Sequence, residues 1–461
     1  MSDANTPVAI VGAGPTGVLL AILLQRRGYR VTVYESRPDP RSAPSESGRS
    51  INLALAERGL HALRHAGVLD ALRAATVPMR ARLVHERDGR TSWQAYGSRP
   101  NEIIHSISRS HLGLRLVEIA AAHGIDLRFE HRLLGADFVK GLASIRDLRR
   151  DRLLEVPMHP LIACDGAGSK MRQCLGGQGL ITVREEQLDH GYKELAIPAL
   201  ASGRYALERE ALHIWPRGEH MLIALPNADG SFTATLFLAN QGAPSFASLR
   251  TNALIGEFLD TDFADVVGLM PRRIEQFAEH PNGLLGTVHA APWHHQGMVA
   301  LVGDSAHAIV PFHGQGMNCC LEDCLVFEQC LSRHDSWEAR FAAFYAARRE
   351  NTDAIASMAL ENYVEMRAKV VDPKFQLQSA LSRELERRHP DRFIPRYSMV
   401  MFHARIPYQL AQRRGSEQAR LLADLTANAA HFGDIDLARA DLEVEARLAP
   451  LDQDLASVKN V

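Results

Sequence analysis

The chain contains 461 residues, enough for about three average domains and for a large hydrophobic core. Its 52 basic side chains nearly balance 54 acidic ones, 46% of its residues are hydrophobic and 23% are charged. This composition argues against a disordered chain, a small disulfide-rich protein and a nucleic-acid-binding protein that relies on bulk positive charge.

The first elements form a strand, a glycine-rich turn and a helix. Residues 8–11 are a short apolar run that predicts a buried parallel strand, and an apolar helix is predicted from Val18. Between them lies a GxGxxG pattern made by Gly12, Gly14 and Gly17. The first glycine permits a tight turn, the second lets the backbone approach a pyrophosphate, and the third lets helix and strand pack closely.

A second strand completes this unit. Residues 31–34 are apolar or β-branched, and Glu35 follows directly. An acid at the end of the second strand is placed to accept hydrogen bonds from ribose hydroxyls, while the N-terminus of the helix attracts phosphates. The sequence therefore predicts a dinucleotide-binding βαβ unit.

The middle of the chain has a different character. Short strand-like runs at 192–197, 213–215, 221–225 and 232–238 are separated by turn signals, which predicts an antiparallel meander. A further apolar strand at 298–302 and a helix at 317–331 follow, and the chain is mostly helical after residue 336. These runs indicate a sheet domain inserted into the nucleotide-binding domain.

The cysteines and the N-terminal stretch give information about the cellular compartment. Four of the six cysteines lie between 319 and 330 without a C-x-x-C pair, so we expect buried thiols in a reducing cytoplasm and neither disulfides nor zinc. The uncharged stretch 7–24 contains three glycines and Pro15 and has no basic residues before it. We expect neither a targeting segment nor a membrane anchor.

Three separated motifs carry a family resemblance. The GxGxxG unit is followed by Cys164-Asp165-Gly166 after an apolar run, and then by GDSAH at 303–307 with PFHGQGMN at 311–318. In this order the motifs resemble the single-component FAD-dependent aromatic hydroxylases. Further blocks resemble the kynurenine 3-monooxygenase family, namely 48–59 (GRSINLALAERG), 190–195 (HGYKEL), 213–216 (HIWP), 359–366 (ALENYVEM) and 392–399 (RFIPRYSM).

The resemblance implies a fold and a reaction. The implied fold is α/β, with a Rossmann-like FAD-binding domain (1–180 and 280–335, including strand segments of the substrate domain near 80–110), an antiparallel-sheet substrate domain (181–279) and a helical C-terminal region (336–461). The implied reaction hydroxylates L-kynurenine to 3-hydroxy-L-kynurenine with NADPH and O2, through a flavin C4a-hydroperoxide. The implied partners are small molecules, with no nucleic acid and no membrane anchor, and a homodimer is possible.

The resemblance also implies roles for individual residues. The substrate-binding residues would be Arg82, Tyr96, Asn362, Tyr397, Phe312, His313 and Met366, with the Arg82 guanidinium binding the kynurenine carboxylate bidentately. The FAD-binding residues would be Gly12, Gly14, Thr16, Gly17, Tyr34, Glu35, Ser36, Arg37, Ala54, Arg109, Leu133, Asp304, Gly316, Met317 and Asn318. Because the flavin performs the chemistry, no side-chain catalyst is expected, and no metal either.

Several alternatives remain open from the residues themselves. Arg82 is also compatible with a surface charge, the two tyrosines with core positions and Asn362 with an exposed helix position. The pair Glu361 and Glu365 is more typical of a solvated helix face than of acid–base carboxylates. At the level of function, the rivals are a hydroxylase acting on a substituted kynurenine or another aromatic compound, and a flavoprotein without catalytic activity.

Overall fold

The structure is a computed structural model that describes residues 6–42, 52–368 and 372–457. Residues 48–51 of the block at 48–59 therefore lie outside the described residues. In none of the described helices does an apolar run reach the length needed to cross a membrane.

Strands and helices are mixed over the first two thirds of the chain, and the later elements are helical. The strands are β1 (Pro7–Val11), β2 (Arg30–Tyr34), β3 (Leu53–Leu55), β4 (Val77–Met79), β5 (Ala81–His85), β6 (Thr91–Ala95), β7 (Ile104–Ile107), β8 (Asp126–Arg128), β9 (His131–Asp137), β10 (Leu142–Asp147), β11 (Arg152–Pro157), β12 (Leu161–Ala163), β13 (Thr182–Ile197), β14 (Ala211–Pro216), β15 (Met221–Pro226), β16 (Phe232–Ala239), β17 (Gly283–Ala291), β18 (His294–His295) and β19 (Val299–Leu301). The α-helices are α1 (Pro15–Arg26), α2 (Glu57–His65), α3 (Leu69–Leu72), α4 (Arg109–Ala122), α5 (Lys170–Gly177), α6 (Asn252–Asp262), α7 (Arg273–Glu279), α8 (Asp304–His307), α9 (Gly316–Arg333), α10 (Trp337–Ala368), α11 (Pro373–Arg388), α12 (Arg396–Phe402), α13 (Tyr408–Thr426), α14 (Leu437–Arg447) and α15 (Leu451–Ser457).

The chain divides into two compact units, each made of three chain segments. The first unit comprises residues 1–76, 106–188 and 283–353, and the second comprises 77–105, 189–282 and 354–461. The sequence placed 336–461 in a region of its own. In the structure, residues 336–353 belong to the first unit, and residues 354–461 share the second unit with the antiparallel sheet.

The first unit is built on a six-stranded sheet with the strand order β18-β19-β12-β1-β2-β8. Strand β1 pairs in parallel with β2 and β12, and β12 pairs in parallel with β19. Residues 17–24 of helix α1 are all buried, as expected for a helix that covers a parallel sheet. The predicted strand–helix–strand unit is confirmed, except that the helix begins at Pro15, because proline at the first helical position already has the required φ.

The second unit contains the predicted antiparallel meander. Strands β13, β16, β15 and β14 are neighbours in that order and all pair in antiparallel fashion. Strand β5 then pairs in parallel with β14, and β6 forms an antiparallel edge on β5. The C-terminal helices have a small core of their own, which includes Leu381, Leu385, Phe393 and Leu421.

Candidate functional site

The glycine-rich turn after β1 has the geometry that the sequence predicts. Gly12 has a φ of +102°, and a Cβ at this position would lie 2.3 Å from the carbonyl oxygen of Cys164. A Cβ on Gly17 would lie 2.0 Å from the carbonyl oxygen of Gly12. In contrast, a Cβ on Gly14 meets no protein atom within 4 Å, so packing does not require a glycine there. Gly14 leaves the backbone approachable from outside the protein, as the predicted pyrophosphate contact requires.

Helix α1 begins directly at this turn. Its N-cap residue is Gly14, which offers no side-chain cap, and its first turn contains no acidic residue. The first N–H groups of a helix have no carbonyl partner within that helix, and they carry the positive end of the helix dipole. The start of α1 is therefore suited to binding an anion such as a pyrophosphate.

Glu35 at the end of β2 is a buried and ionised acceptor. Its carboxylate accepts hydrogen bonds from the backbone N–H of Ala13 at 2.8 Å, from the backbone N–H of Arg37 at 2.9 Å and from Arg37 Nε at 3.0 Å. Burial alone would raise the pKa of this carboxyl, but the hydrogen bonds and charge of Arg37 outweigh burial and lower it. Ser36 also donates its hydroxyl to Glu35, at 3.2 Å.

Three other predicted FAD residues have different surroundings. Tyr34 is buried, with the Arg128 guanidinium 5.4 Å from its ring centre. Arg109 is exposed at the start of α4 and has no ion pair with any described residue. Leu133 is buried in the hydrophobic core of the first unit, so only part of it could face a ligand.

The turn after β19 brings further predicted residues together. Gly303 has a φ of +69°, and a Cβ there would lie 3.1 Å from Thr16 Cγ2 and 3.2 Å from Cys320 Sγ. The Cys320 thiol donates to Asp304 Oδ1 at 3.4 Å, and the Cys324 thiol donates to the carbonyl of Thr16 at 3.3 Å. Thr16, Asp304 and helix α9 therefore lie side by side.

Asn318 joins the start of α9 to the segment around β3. Its Nδ2 donates to the carbonyls of Ala54 and Gly314, both at 2.8 Å, and its Oδ1 accepts from the N–H of Ala56 at 2.9 Å. Because both polar atoms of the Asn318 side chain are hydrogen-bonded within the protein, we expect Asn318 to bind a cofactor through its backbone N–H. Gly316, Met317 and Asn318 form the first turn of α9, which contains no acidic residue and favours negative charge in a ligand.

A buried charged network beneath this turn was not anticipated from the sequence. Asp323 accepts from His307 Nε2 at 2.6 Å, from Arg348 Nε at 2.6 Å and from the N–H of Gly303 at 3.2 Å. Glu322 accepts from Arg348 at 2.6 Å and from Arg58 at 2.8 Å. In the sequence, His307 appears only as the last residue of the GDSAH motif, because its partners are brought to it by the fold.

One group of possible metal ligands lies within this network. His307, Cys319 and Asp323 have ligand atoms within 4.8 Å of one another. However, Arg348 donates to Asp323 at 2.6 Å and contacts Cys319 Sγ at 3.3 Å. The buried Arg348 guanidinium contacts two of these three side chains, and its positive charge repels a metal cation. We therefore interpret the cluster as part of an ion-pair network and not as a metal site.

The cysteines are free, as the sequence predicts, and all but Cys174 are buried. Burial raises the pKa of each buried thiol, with Cys330 at about 11. Phe312 and His313 are also buried in the first unit, within a short 3-10 helix at Pro311–His313.

The second unit brings three of the seven predicted substrate residues, Arg82, Tyr96 and Tyr397, into one cluster. Arg82 on β5 has its guanidinium 4.6 Å from the centre of the Tyr397 ring, and Tyr397 stacks on Tyr96 with ring centres 5.9 Å apart. Burial raises the pKa of both tyrosine hydroxyls, so both remain protonated donors near neutral pH. Asn362 and Met366 on α10 are buried and contact each other, with Nδ2 and Sδ 3.2 Å apart.

Glu365 belongs to the same cluster, which corrects its interpretation as part of a solvated helix face. Its carboxylate lies 3.8 Å from the Arg82 guanidinium, and the side chains of Arg82 and Glu365 are only 11% and 23% exposed. Glu361 does fit the earlier interpretation, because its carboxylate pairs with Arg396 at the surface. Helix spacing alone could not predict that Glu361 and Glu365 have different surroundings, because the difference comes from strand β5, which places Arg82 beside Glu365.

A cavity of about 520 Å³ opens onto this cluster within the second unit. Arg82, Tyr96, Glu365 and Tyr397 line the cavity together with residues of β6, of α11 and of the segments that follow β6 and begin α12. This volume lies in the range of about 300–1,000 Å³ that is typical of small-molecule sites. A guanidinium, a carboxylate and two hydroxyls that lie close together in a cavity lining suit the charged end of an amino acid.

In the first unit, the donors and acceptors fit FAD. The open backbone at Gly14 and the start of α1 suit its pyrophosphate, and ionised Glu35 suits a ribose. For the rest of FAD, Asp304 offers a hydrogen-bond acceptor and the start of α9 offers the positive end of a helix dipole. A family profile described as an FAD binding domain matches residues 5–340 of the chain.

Two solved structures show how far the fold is shared. The chain superposes on 2-methyl-3-hydroxypyridine-5-carboxylic acid oxygenase with a TM-score of 0.63 and 21% identity, covering 83% of this chain and 98% of that one. It superposes on Pseudomonas aeruginosa PqsL, solved in complex with 2-aminobenzoylacetate, with a TM-score of 0.63 and 19% identity, covering 79% and 97%. These likenesses establish the fold.

Curated relatives match the chain over almost its whole length. The chain is 48% identical to kynurenine 3-monooxygenase of Stenotrophomonas maltophilia over 452 residues, which covers 98% of this chain and 99% of the relative. It is also 48% identical to kynurenine 3-monooxygenase of Xanthomonas axonopodis pv. citri, covering 96% and 98%. The chain therefore belongs to the kynurenine 3-monooxygenase family of proteins with an FAD-binding domain.

Proposed function

We propose that this chain hydroxylates L-kynurenine to 3-hydroxy-L-kynurenine, using FAD as its cofactor and NADPH and O2 as co-substrates. In the balanced reaction, kynurenine, O2, NADPH and one proton give 3-hydroxykynurenine, NADP+ and water. One oxygen atom enters the aromatic ring and the other leaves as water. The observation that carries the proposal is the cluster of Arg82, Glu365, Tyr96 and Tyr397 in the lining of a cavity.

The cluster matches both charges of an amino acid. The planar guanidinium of Arg82 can bind a carboxylate through two parallel hydrogen bonds, and the protonated hydroxyls of Tyr96 and Tyr397 can donate to the same group. Glu365 can accept hydrogen bonds from the substrate ammonium group beside it. Fixing the charged end of the substrate orients its aromatic ring, which increases the rate by holding the reacting atoms in position.

When bound, FAD supplies the reduction of dioxygen by NADPH and the transfer of one oxygen atom. The residues of the first unit bind and orient it: the starts of α1 and α9 favour negative charge, and Glu35 accepts hydrogen bonds from hydroxyl groups. The ring carbon that is hydroxylated lies ortho to the aniline nitrogen, whose lone pair activates it. The chain therefore needs no side-chain nucleophile.

Turnover with defined substrates tests the proposal. We expect NADPH oxidation to be much faster with L-kynurenine than without it, and the product to be 16 mass units heavier than the substrate. 2-Aminoacetophenone is the matched control, because it keeps the aniline ring and the ketone but has no amino-acid end to bind the cluster. If L-kynurenine gives no hydroxylated product while a ring-substituted kynurenine or another aromatic compound does, the chain is a related hydroxylase.

We also propose that the protein works in the cytoplasm. All six cysteines are free, which suits a reducing compartment because proteins of oxidising compartments tend to form disulfides. Cell fractionation with detection of the intact protein would test this location.

A further inference from the structure

A second cavity lies in the first unit, away from the glycine-rich turn. Its volume is about 600 Å³, within the range of about 300–1,000 Å³ that is typical of small-molecule sites. The lining residues come from the loop after β2, from β8 and the residues after it, and from the hairpin of β10 and β11: Asp39, Leu127, Arg128, Phe129, His131, Asp147, Arg149, Arg150, Arg152 and Leu154. None of these residues takes part in the proposed function.

The lining is positively charged although the chain as a whole has a net charge of −2. Four arginines face two aspartates, and both aspartates are already engaged. Asp39 pairs with Arg41, which lies outside the lining, at 2.6 Å. Asp147 is buried and accepts hydrogen bonds from the backbone N–H groups of Arg149 and Arg150 at 3.0 and 3.1 Å.

The arginines of the hairpin are available to a ligand. The nearest carboxylate oxygen to the Arg150 guanidinium, that of Asp147, is 3.7 Å away, and the Arg150 side chain is 82% exposed. Arg152 is exposed and pairs with no acid in the described parts of the chain. Arg149 pairs with Glu130, and Arg128 with Asp126, in partly exposed ion pairs. Such pairs contribute only about 0–1 kcal/mol, so a more highly charged anion can replace them.

The cavity adjoins the nucleotide-binding end of β2. The N–H of His131 donates to the carbonyl of Glu35 at 2.7 Å, and the N–H of Glu130 donates to the carbonyl of Arg37 at 3.0 Å. Arg128 also covers the ring of Tyr34. An anion in this cavity would therefore lie beside the strand end whose acid, Glu35, suits a ribose.

From this charge and position we propose that the cavity binds the 2′-phosphate of NADPH, with Arg150 and Arg152 as its main donors. The inference rests on the proposed function, in which NADPH is the reductant. A phosphate monoester carries about −1.5 to −2 charges at neutral pH and three acceptor oxygens, and arginine matches it through paired N–H groups. NADH has a hydroxyl at this position, so the cavity would separate the two dinucleotides by charge.

Nucleotide binding to the FAD-loaded protein tests the proposed phosphate site without measuring turnover. We expect calorimetry to show that 2′,5′-ADP binds more tightly than 5′-AMP, and that the double variant Arg150→Ser/Arg152→Ser weakens 2′,5′-ADP about tenfold or more while 5′-AMP is unchanged. Arg132→Ser is the matched control, because Arg132 is exposed on the same three-stranded sheet but does not line the cavity. Equal affinity of the double variant and the unmodified protein for 2′,5′-ADP would overturn the proposal.

Kinetics separate this proposal from the proposed function. With L-kynurenine saturating, the double variant should raise the KM for NADPH about tenfold, with the KM for NADH and the bound FAD unchanged. Arg150→Lys/Arg152→Lys should recover part of the loss, since it keeps the charge but not the paired N–H groups. A parallel loss with NADH would overturn the site. If no aromatic compound is turned over, the proposed function fails, and the 2′,5′-ADP titration still decides whether the cavity binds the phosphate.

Discussion

The two units build their candidate sites in different ways. In the first unit, the turn from Gly12 to Gly17 and the acid Glu35 lie within one βαβ segment, and mainly backbone groups face the ligand. In the second unit, Arg82 on β5 and Tyr96 directly after β6 come from one strand pair, whereas Glu365 and Tyr397 come from two later helices. The groups that would contact a ligand there are side chains. A backbone site leaves a local signature in the sequence, whereas a side-chain site is assembled only by the fold.

Substitutions at two glycines give the strongest test of the backbone site. We expect Gly12→Ala to lower the free energy of unfolding by at least about 3 kcal/mol, because its φ of +102° and the carbonyl 2.3 Å from the new Cβ oppose any side chain. Gly14→Ala should stay within about 0.5 kcal/mol in the FAD-free protein but weaken FAD binding at least tenfold.

Denaturant unfolding of the FAD-free protein and flavin titration measure these two effects separately. A Gly14→Ala protein that binds FAD normally would contradict the placement of the pyrophosphate at this turn.

Lowering the pH should destabilise the second unit because His85 becomes protonated. This side chain stacks on Trp215 at 4.3 Å and bonds to His213 at 2.9 Å, and burial, aided by the charge of His213, lowers its pKa to about 4. The unfolded chain, with a histidine pKa of about 6.5, binds the proton first, so the neutral form contributes stability above pH 6.5 that is lost as the pH falls toward 4. The loss should be about 3 kcal/mol.

Unfolding curves between pH 7 and pH 4 measure this loss, and His85→Gln should flatten the pH dependence. If the variant loses stability between pH 6.5 and pH 4 as steeply as the unmodified protein does, His85 is not the group responsible.

Removing one side chain should break the substrate site without affecting the flavin site. We expect Arg82→Ala to raise the KM for L-kynurenine about 100-fold, because it removes the paired donors and leaves Glu365 without its cation. Arg80→Ala is the matched control, since Arg80 lies two residues away and pairs with Glu210 at the surface.

Steady-state kinetics and the flavin absorbance of the purified variants check this prediction. Loss of FAD in Arg82→Ala, or an equal effect of Arg80→Ala, would show that the role of Arg82 is structural.

The sequence predicted the fold more completely than the surroundings of the site residues. The apolar runs identified β1, α1 and the meander because burial imposes a period on each of them. Two starts were placed late. Helix α1 begins earlier because Pro15 permits an earlier turn, and β13 begins at Thr182, before the predicted strand, because its first residues are exposed and carry no apolar pattern. Glu365 was misinterpreted because its spacing from Glu361 describes one helix and not the strand opposite. The network of Asp323 and the arginine-lined cavity depend on residues that only tertiary structure brings together.

Five of the six cysteine thiols are buried, which limits their reaction with oxidants. An enzyme that reduces oxygen releases hydrogen peroxide whenever a catalytic cycle fails, and peroxide oxidises the thiolate form of cysteine. Cys320 and Cys324 stand beside the predicted flavin residues, yet both are enclosed and held protonated. Burial thus protects the Cys320 and Cys324 thiols from oxidation by hydrogen peroxide. An electrophilic thiol dye should label these two cysteines only after the protein has unfolded.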